Sequence, residues 1–226
     1  TLLDFDYSER EAILRCFQAE GLPADDAVVG LYSRINDSYW KQLELGKMTR
    51  REVLCGRYRQ LFSEYGIAAG AEQAQELYEK NLSIGHYFMP GAEELLQGLY
   101  GKYRLYLASN GTATVQHSRL RSSGIERYFE DIFISEEIGA DKPSREFFDA
   151  AFGRIPDFKR EETVMIGDSL SSDIRGGKNA GIRTVWFNPE HKSNDTADSD
   201  MPVMPDAEIS ELGEVERVIS GAAFEQ

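Results

Sequence analysis

The second half of the chain carries side chains that could bind a phosphate group beside a divalent metal ion. The turn Ser109–Gly111 offers a hydroxyl and backbone N–H groups, Lys142 offers a cation, and Asp168 and Asp173 offer two carboxylates. Magnesium favours a few carboxylates together with water and phosphate oxygens, and a lysine neutralises phosphate charge. These residue types therefore suit phosphate chemistry assisted by a metal.

Each of these residues also has an ordinary structural explanation. Asp168 and Asp173 could cap a helix and occupy its first turn, where the helix dipole favours acids. The turn Ser109–Gly111 could be only a turn, and Lys142 could be a solvated surface lysine. Their joint placement favours a site, because each follows an apolar run and ligands bind beyond the carboxyl ends of parallel strands.

The elements that position these residues alternate between strand and helix. Short apolar runs predict strands at 104–108, 131–134, 164–166, 184–187 and 207–209, with helical patterns between them. This alternation is typical of βαβ units and predicts a parallel sheet in an α/β fold.

The first half reads as a small helical bundle between Ser8 and Leu82. Two capping boxes of the form S/T-x-x-E, Ser8–Glu11 and Thr49–Glu52, predict helix starts there. Apolar residues at helical spacing follow each of them, and no strand pattern interrupts the segment.

The composition of the chain argues against nucleic acids and anionic membranes as binding partners. The chain of 226 residues has a net charge of −14 and 41% hydrophobic residues, so it can bury a core but offers no basic patch for nucleic acid or an anionic membrane. No apolar run is long enough to span a membrane. Cys16 and Cys55 lie outside any CxxC pattern, and we expect reduced thiols in a cytoplasmic protein.

The joint pattern resembles the haloacid dehalogenase-like phosphohydrolases over essentially the whole chain. Leu107–Gly111 resembles their second motif, Asp141–Pro143 their third and Ile166–Asp173 their fourth. The resemblance implies a Rossmann-like parallel-sheet core with a helical cap of the C1 type, inserted after the first strand. Residues 8–88 would form this cap, and residues 1–7 and 89–226 would form the core.

The front of the chain departs from the family pattern. Thr1–Phe5 resembles the tail of the first motif, D-x-D-x-T, so the resemblance places the nucleophilic and acid/base aspartates, and the central strand that carries them, ahead of Thr1. A rival alignment takes Asp4-Phe-Asp6-Tyr-Ser8 as that motif. It leaves only three residues for a strand that normally has about five to six.

Residue roles follow from the resemblance. An aspartyl-phosphate would form on the first aspartate, with Mg²⁺ as cofactor. Thr1, Ser109 and Lys142 would be catalytic, and Asp173 would orient a metal-bound water rather than ligate directly. The full assignment is Ser109, Asn110, Gly111 and Lys142 at the phosphate, and Asp168 and Asp173 at the metal.

The substrate class is predicted from a resemblance to one group within the family. Several short cap and strand segments resemble those of bacterial pyrimidine 5′-nucleotidases. The resemblance implies that the substrates are nucleoside 5′-monophosphates and that Asn36 and Trp40 select the leaving group. Trp40 could equally be cap core. A sugar-phosphate or phosphoglycolate phosphatase of the same family stays open, and so does a non-catalytic phosphate-binding relative. In each case the partner is a small phosphorylated metabolite, and the protein is a monomer or homodimer.

Overall fold

The computed structural model describes residues 1–19, 21–67, 70–194 and 203–222. The chain divides into two compact units. The core unit comprises Thr1–Leu3, Phe88–Gln116 and Ser123–Gln226, and the helical unit comprises Asp4–Tyr87 and His117–Ser122.

The helical unit is a bundle of four helices that pack through an apolar interior. Their interiors share large buried side chains such as Phe17, Tyr32, Tyr58 and Leu61. The capping box at Thr49 is confirmed, since Glu52 N–H donates to the Thr49 hydroxyl and Thr49 N–H donates to the Glu52 carboxylate. The helices are α1 Phe5–Ala19, α2 Asp26–Glu44, α3 Arg50–Tyr65 and α4 Ala71–Leu82.

The predicted helix start at Ser8 is wrong. Helix α1 begins at Phe5, and the carboxylate of Asp4 accepts the N–H of Tyr7 at 2.9 Å. The Ser8 hydroxyl donates to the Asp4 carbonyl at 2.6 Å, so Ser8 sits inside the first turn. Asp4 takes the capping position because its carboxylate reaches the N–H groups three residues on. Asp4 is also the first residue of the helical unit.

The core unit contains parallel strands separated by helices. In chain order the helices and strands after α4 are α5 Ala92–Leu99, β1 Tyr106–Ser109, α6 Ala113–Ser123, β2 Asp131–Ile134, α7 Ser135–Ile138, α8 Arg145–Gly153, β3 Val164–Gly167, α9 Arg175–Asn179, β4 Arg183–Phe187, β5 Ala207–Ile209 and α10 Val215–Arg217. Residues His117–Ser122 of α6 belong to the helical unit, and the other elements belong to the core unit. Leu170–Ile174 forms a π-helical turn that leads into α9. This arrangement confirms the α/β class predicted from the alternation of strands and helices.

The strands lie in two parallel sheets, one ordered β1-β2 and the other β3-β4-β5. Strand β4 is the best covered, with Thr184–Phe187 buried, whereas β1 is only half-buried along its length. The two strands that end in the candidate motifs, β1 and β3, each form an edge of their sheet.

Candidate active site

Polar residues follow the carboxyl ends of β1 and β3, as predicted. β1 ends at Ser109 and β3 ends at Gly167, directly before Asp168. Lys142 lies in the loop between α7 and α8. The parallel direction of the strands gives these groups a common edge.

Lys142 joins three segments of the core unit. Its ammonium donates to Oδ1 of Asp173 at 2.6 Å and to the carbonyl of Ala108 at 3.0 Å. Its backbone is held by the amide of Asn110, which accepts from the Lys142 N–H and donates to the Lys142 carbonyl, both at 2.9 Å. The turn after β1 therefore fixes where the lysine can reach.

Asp173 is buried with both carboxylate oxygens engaged. Oδ1 receives the Lys142 ammonium, and Oδ2 receives the N–H of Ser169 at 3.1 Å. Gly167 permits this placement, because a Cβ there would overlap the Asp173 carboxylate. The arrangement suits a group that holds the loop and the lysine in place.

Asp168 is far more open, with a side chain 55% exposed. Its Oδ1 accepts from the Thr1 hydroxyl and lies 2.7 Å from the amino group of Thr1. The Trp186 indole N–H donates to the Asp168 carbonyl at 3.0 Å and fixes the backbone. Asp168 thus presents a half-exposed carboxylate next to the Thr1 hydroxyl.

The turn predicted to bind phosphate is closed by a hydrogen bond of its own. The N–H of Gly111 donates to the Ser109 hydroxyl at 3.1 Å, which stabilises the turn. That N–H would have to exchange this partner for a phosphoryl oxygen. The Ser109 side chain itself is half-buried at the end of β1.

The two predicted specificity residues differ in exposure. Asn36 is 2% exposed and lies inside the helical unit, where its amide nitrogen donates to Glu9 and its oxygen accepts from Arg57 and Trp40. Trp40 is half-buried, and the Arg50 guanidinium lies 5.5 Å from its ring centroid. Asn36 is therefore engaged within the bundle, and Trp40 presents the exposed surface of the pair.

Sequence reasoning missed the buried charges beside Asn36. Glu9 and Arg57 are both buried, and burial is the main cause that raises the Glu9 pKa to about 7. A signal was present: Arg57 stands four residues from both Val53 and Leu61, on their apolar stripe. A charge on a core stripe indicates either a partner inside the core or an interrupted helix.

The comparisons with known proteins agree with these motifs. The family model for haloacid dehalogenase-like hydrolases matches residues 24–187. HAD-hydrolase YfnB of Bacillus subtilis is 38% identical over 97% of this chain and 92% of its own length. The crystal structure of YfnB bound to magnesium has a TM-score of 0.90, covering 97% of this chain and 94% of that chain. The chain therefore belongs to the haloacid dehalogenase-like hydrolase family, and it is an enzyme of that class.

Two further relatives have named activities. Pyrimidine 5′-nucleotidase PynA of Streptococcus pneumoniae is 39% identical over 87% of this chain and 83% of its own length. Pyrimidine 5′-nucleotidase YjjG of Escherichia coli is 29% identical over 83% of this chain and 80% of its own length.

Proposed function

We propose that this protein is a Mg²⁺-dependent phosphate monoester hydrolase that acts on nucleoside 5′-monophosphates through an aspartyl-phosphate intermediate. The observation that carries the phosphate chemistry is the buried junction of Lys142, Asp173 and Asn110 beside the exposed carboxylate of Asp168. Three separate motif segments meet there, at the strand ends where such a site belongs.

The protein side chains of this site can supply only some of the ligands of a magnesium ion, and water and phosphate oxygens would supply the rest. Across the part of the chain that the structure describes, no group of three or more His, Cys, Asp and Glu side chains could hold a metal ion. Mg²⁺ usually takes one or two carboxylates and completes its sphere with water and phosphate oxygens. Asp168, whose carboxylate is half exposed directly after β3, is the residue that would hold it. The bound ion would supply positive charge for the phosphoryl oxygens.

The protein's own groups then orient the phosphoryl group and balance its charge. Lys142 makes two hydrogen bonds within the described residues, so a third ammonium hydrogen can face a phosphoryl oxygen. Ser109 would donate its hydroxyl to another oxygen, and Thr1 would help hold the same group. In the proposed mechanism one aspartate of the family's first motif would attack phosphorus and form the aspartyl-phosphate as the leaving group departs. A second would protonate the leaving oxygen and later activate the water that releases phosphate.

Support for the substrate class comes from two observations. Relatives at 39% and 29% identity are pyrimidine 5′-nucleotidases. In the helical unit, which we propose is the cap at about residues 8–88, Trp40 offers a partly exposed ring. Aromatic rings stack on any base, and each such stack contributes roughly 1–3 kcal/mol.

The test is phosphate release by the full gene product with Mg²⁺. The panel comprises pyrimidine and purine nucleoside 5′-monophosphates, glucose 6-phosphate and phosphoglycolate. The control is Asp168→Asn, purified in parallel to exclude a contaminating phosphatase. We expect a nucleoside monophosphate to have the highest kcat/KM.

The outcomes separate the alternatives. If a sugar phosphate or phosphoglycolate exceeds every nucleotide by more than tenfold, the nucleotidase assignment fails and the phosphatase assignment stands. If the wild type releases no more phosphate than Asp168→Asn from any substrate, the enzymatic proposal fails and a phosphate-binding relative is favoured.

A further inference from the structure

A chain of hydrogen bonds inside the helical unit connects the buried guanidinium of Arg57 to the ring of Trp40. One arm of Arg57 donates to the Asn36 amide oxygen, and the other donates to Gln75 at 2.7 Å. The same Asn36 oxygen accepts the Trp40 indole N–H at 3.0 Å. One amide oxygen thus serves both a buried cation and the half-exposed indole.

The Arg57 end of this chain of hydrogen bonds is fixed in place. Arg57 is 3% exposed, and its guanidinium lies 5.1–5.7 Å from the ring centroids of Tyr32, Tyr58 and Tyr78. Three rings from three helices surround it, so the guanidinium has little freedom to move. Because the Arg57 guanidinium is held in place, it can also hold its hydrogen-bond partner, the Asn36 amide, in place.

Two neighbours determine which way the oxygen and the nitrogen of the Asn36 amide point. A guanidinium only donates, so it requires the amide oxygen on its side. The carboxylate of Glu9 accepts the amide nitrogen at 2.8 Å, so it requires the nitrogen on the other side. If the amide flipped, the Trp40 N–H would face another donor. Arg57 and Glu9 therefore keep an acceptor pointed at Trp40.

We propose that Arg57 and Asn36 are positioning residues that fix the plane of the Trp40 ring for stacking against a nucleobase. This inference rests on the proposed nucleotidase function. Trp40 has one polar atom, and anchoring that atom limits rotation of the ring about its side-chain bonds. A stacking partner needs a defined plane, whereas a phosphate bound at Lys142 does not depend on it.

The experiment compares Asn36→Leu and Arg57→Met with Tyr78→Phe in the full-length protein. Tyr78→Phe is the matched control, since it removes a hydroxyl from the same buried cluster without touching Asn36. The milder Asn36→Asp retains the oxygen that faces Trp40 and covers the case in which Asn36→Leu fails to fold.

Two readouts are needed. Labelling with 5-fluorotryptophan gives one ¹⁹F resonance for each of the two tryptophans in the sequence, assigned by Trp40→Phe. Kinetics compare the best nucleotide with acetyl phosphate, whose leaving group has no ring.

We expect Asn36→Leu and Arg57→Met to shift the Trp40 resonance and to raise KM for the nucleotide by about tenfold or more, the effect of a lost base–aromatic stack. Acetyl phosphate should stay within about twofold, Asn36→Asp should retain most of the nucleotide affinity, and Tyr78→Phe should change neither readout.

Contrary outcomes are distinct. An unchanged nucleotide KM in folded Asn36→Leu, or an equal loss on both substrates, overturns the positioning role while the proposed function stands. A wild type without nucleotide preference overturns the proposed function and the inference together.

Discussion

The ammonium of Lys142 lies 2.6 Å from Oδ1 of Asp173, and the two side chains are only 7% and 8% exposed. A buried pair of this kind is costly to break, because removing one partner leaves the other charge without compensation. Its contribution to stability can therefore be separated from its contribution to catalysis.

We expect Lys142→Met to lower the free energy of unfolding by about 3–5 kcal/mol. The double variant Lys142→Met/Asp173→Leu should recover much of that loss but none of the phosphatase activity. Urea unfolding and phosphate release measure the two quantities. The control is Lys102→Ala, which breaks the exposed pair with Glu216 and should cost at most about 1 kcal/mol. A double variant as unstable as the single one would contradict this account.

The metal assignment predicts unequal effects of the two aspartates. Asp168→Asn should nearly abolish activity and weaken Mg²⁺ binding in calorimetry, because it removes the exposed ionised carboxylate. Asp173→Asn should lower activity by about 10–100-fold, the usual range for groups that orient a metal site from outside. Asp149→Asn, at a carboxylate of matching 54% exposure, is the control. Full activity in EDTA would refute the assignment.

Glu9 should make the stability of the helical unit depend on pH. Burial raises its pKa from 4.5 to about 7, against a lowering by the Ser33 hydrogen bond and by Arg57; Asp37 and Asp6 raise it further. Between these two values the folded state holds a proton that the unfolded state has lost. The free energy of unfolding therefore falls as pH rises from about 4.5 to 7, by on the order of 3 kcal/mol, and then levels off.

Glu9→Gln should remove that decline, because the amide mimics the protonated acid. Urea unfolding at pH 5, 6, 7 and 8 should show the variant gaining on the wild type as pH rises. Glu72→Gln is the control: its carboxylate is exposed and its pKa is lowered, so its effect is confined to acid pH. Parallel pH profiles for Glu9→Gln and the wild type would rule out the assignment.

Gly177 lets helix α9 lie close against the sheet. A Cβ there would stand 2.6 Å from Thr184 Cγ2 and 3.2 Å from Met165 Cβ. Gly177→Ala should destabilise the core unit by about 1–3 kcal/mol, the range for overpacking. Gly153→Ala, at the end of α8 with open space around it, should be neutral or slightly stabilising. Thermal unfolding of both variants checks the contrast.

The predictions from sequence succeeded where the signal was local. The capping box at Thr49 lies within four residues, and the strands at 131–134 and 207–209 have the predicted bounds. Ser8 failed because Asp4, four residues earlier, competes for the same helix start. Ser109 and Asp168 could be named from the strand ends, but the contact between Lys142 and Asp173 spans 31 positions and needs the fold.

The buried polar cluster could not be derived in the same way. The sequence shows that Arg57 and Glu9 are ionisable residues at core positions. Their burial is tolerated because both hydrogen-bond to Asn36, which stands on a different helix from either. Hydrophobic periodicity reports which face is buried and carries no record of which polar groups meet there.

The chain leaves and re-enters the core unit at neighbouring points. Leu3 and Phe88 form an antiparallel bridge, and the Met89 N–H donates to the Leu2 carbonyl at 3.0 Å. One step further, the Asp4 N–H donates to the Tyr87 carbonyl at 2.8 Å. Entry and exit are thus as close as the two ends of a hairpin, so insertions or exchanges between them leave the path of the core unchanged and add little loop-closure entropy. The segment between Leu3 and Phe88 is therefore tethered to the core like the loop of a hairpin, at two adjacent backbone points and not at opposite ends of the sheet.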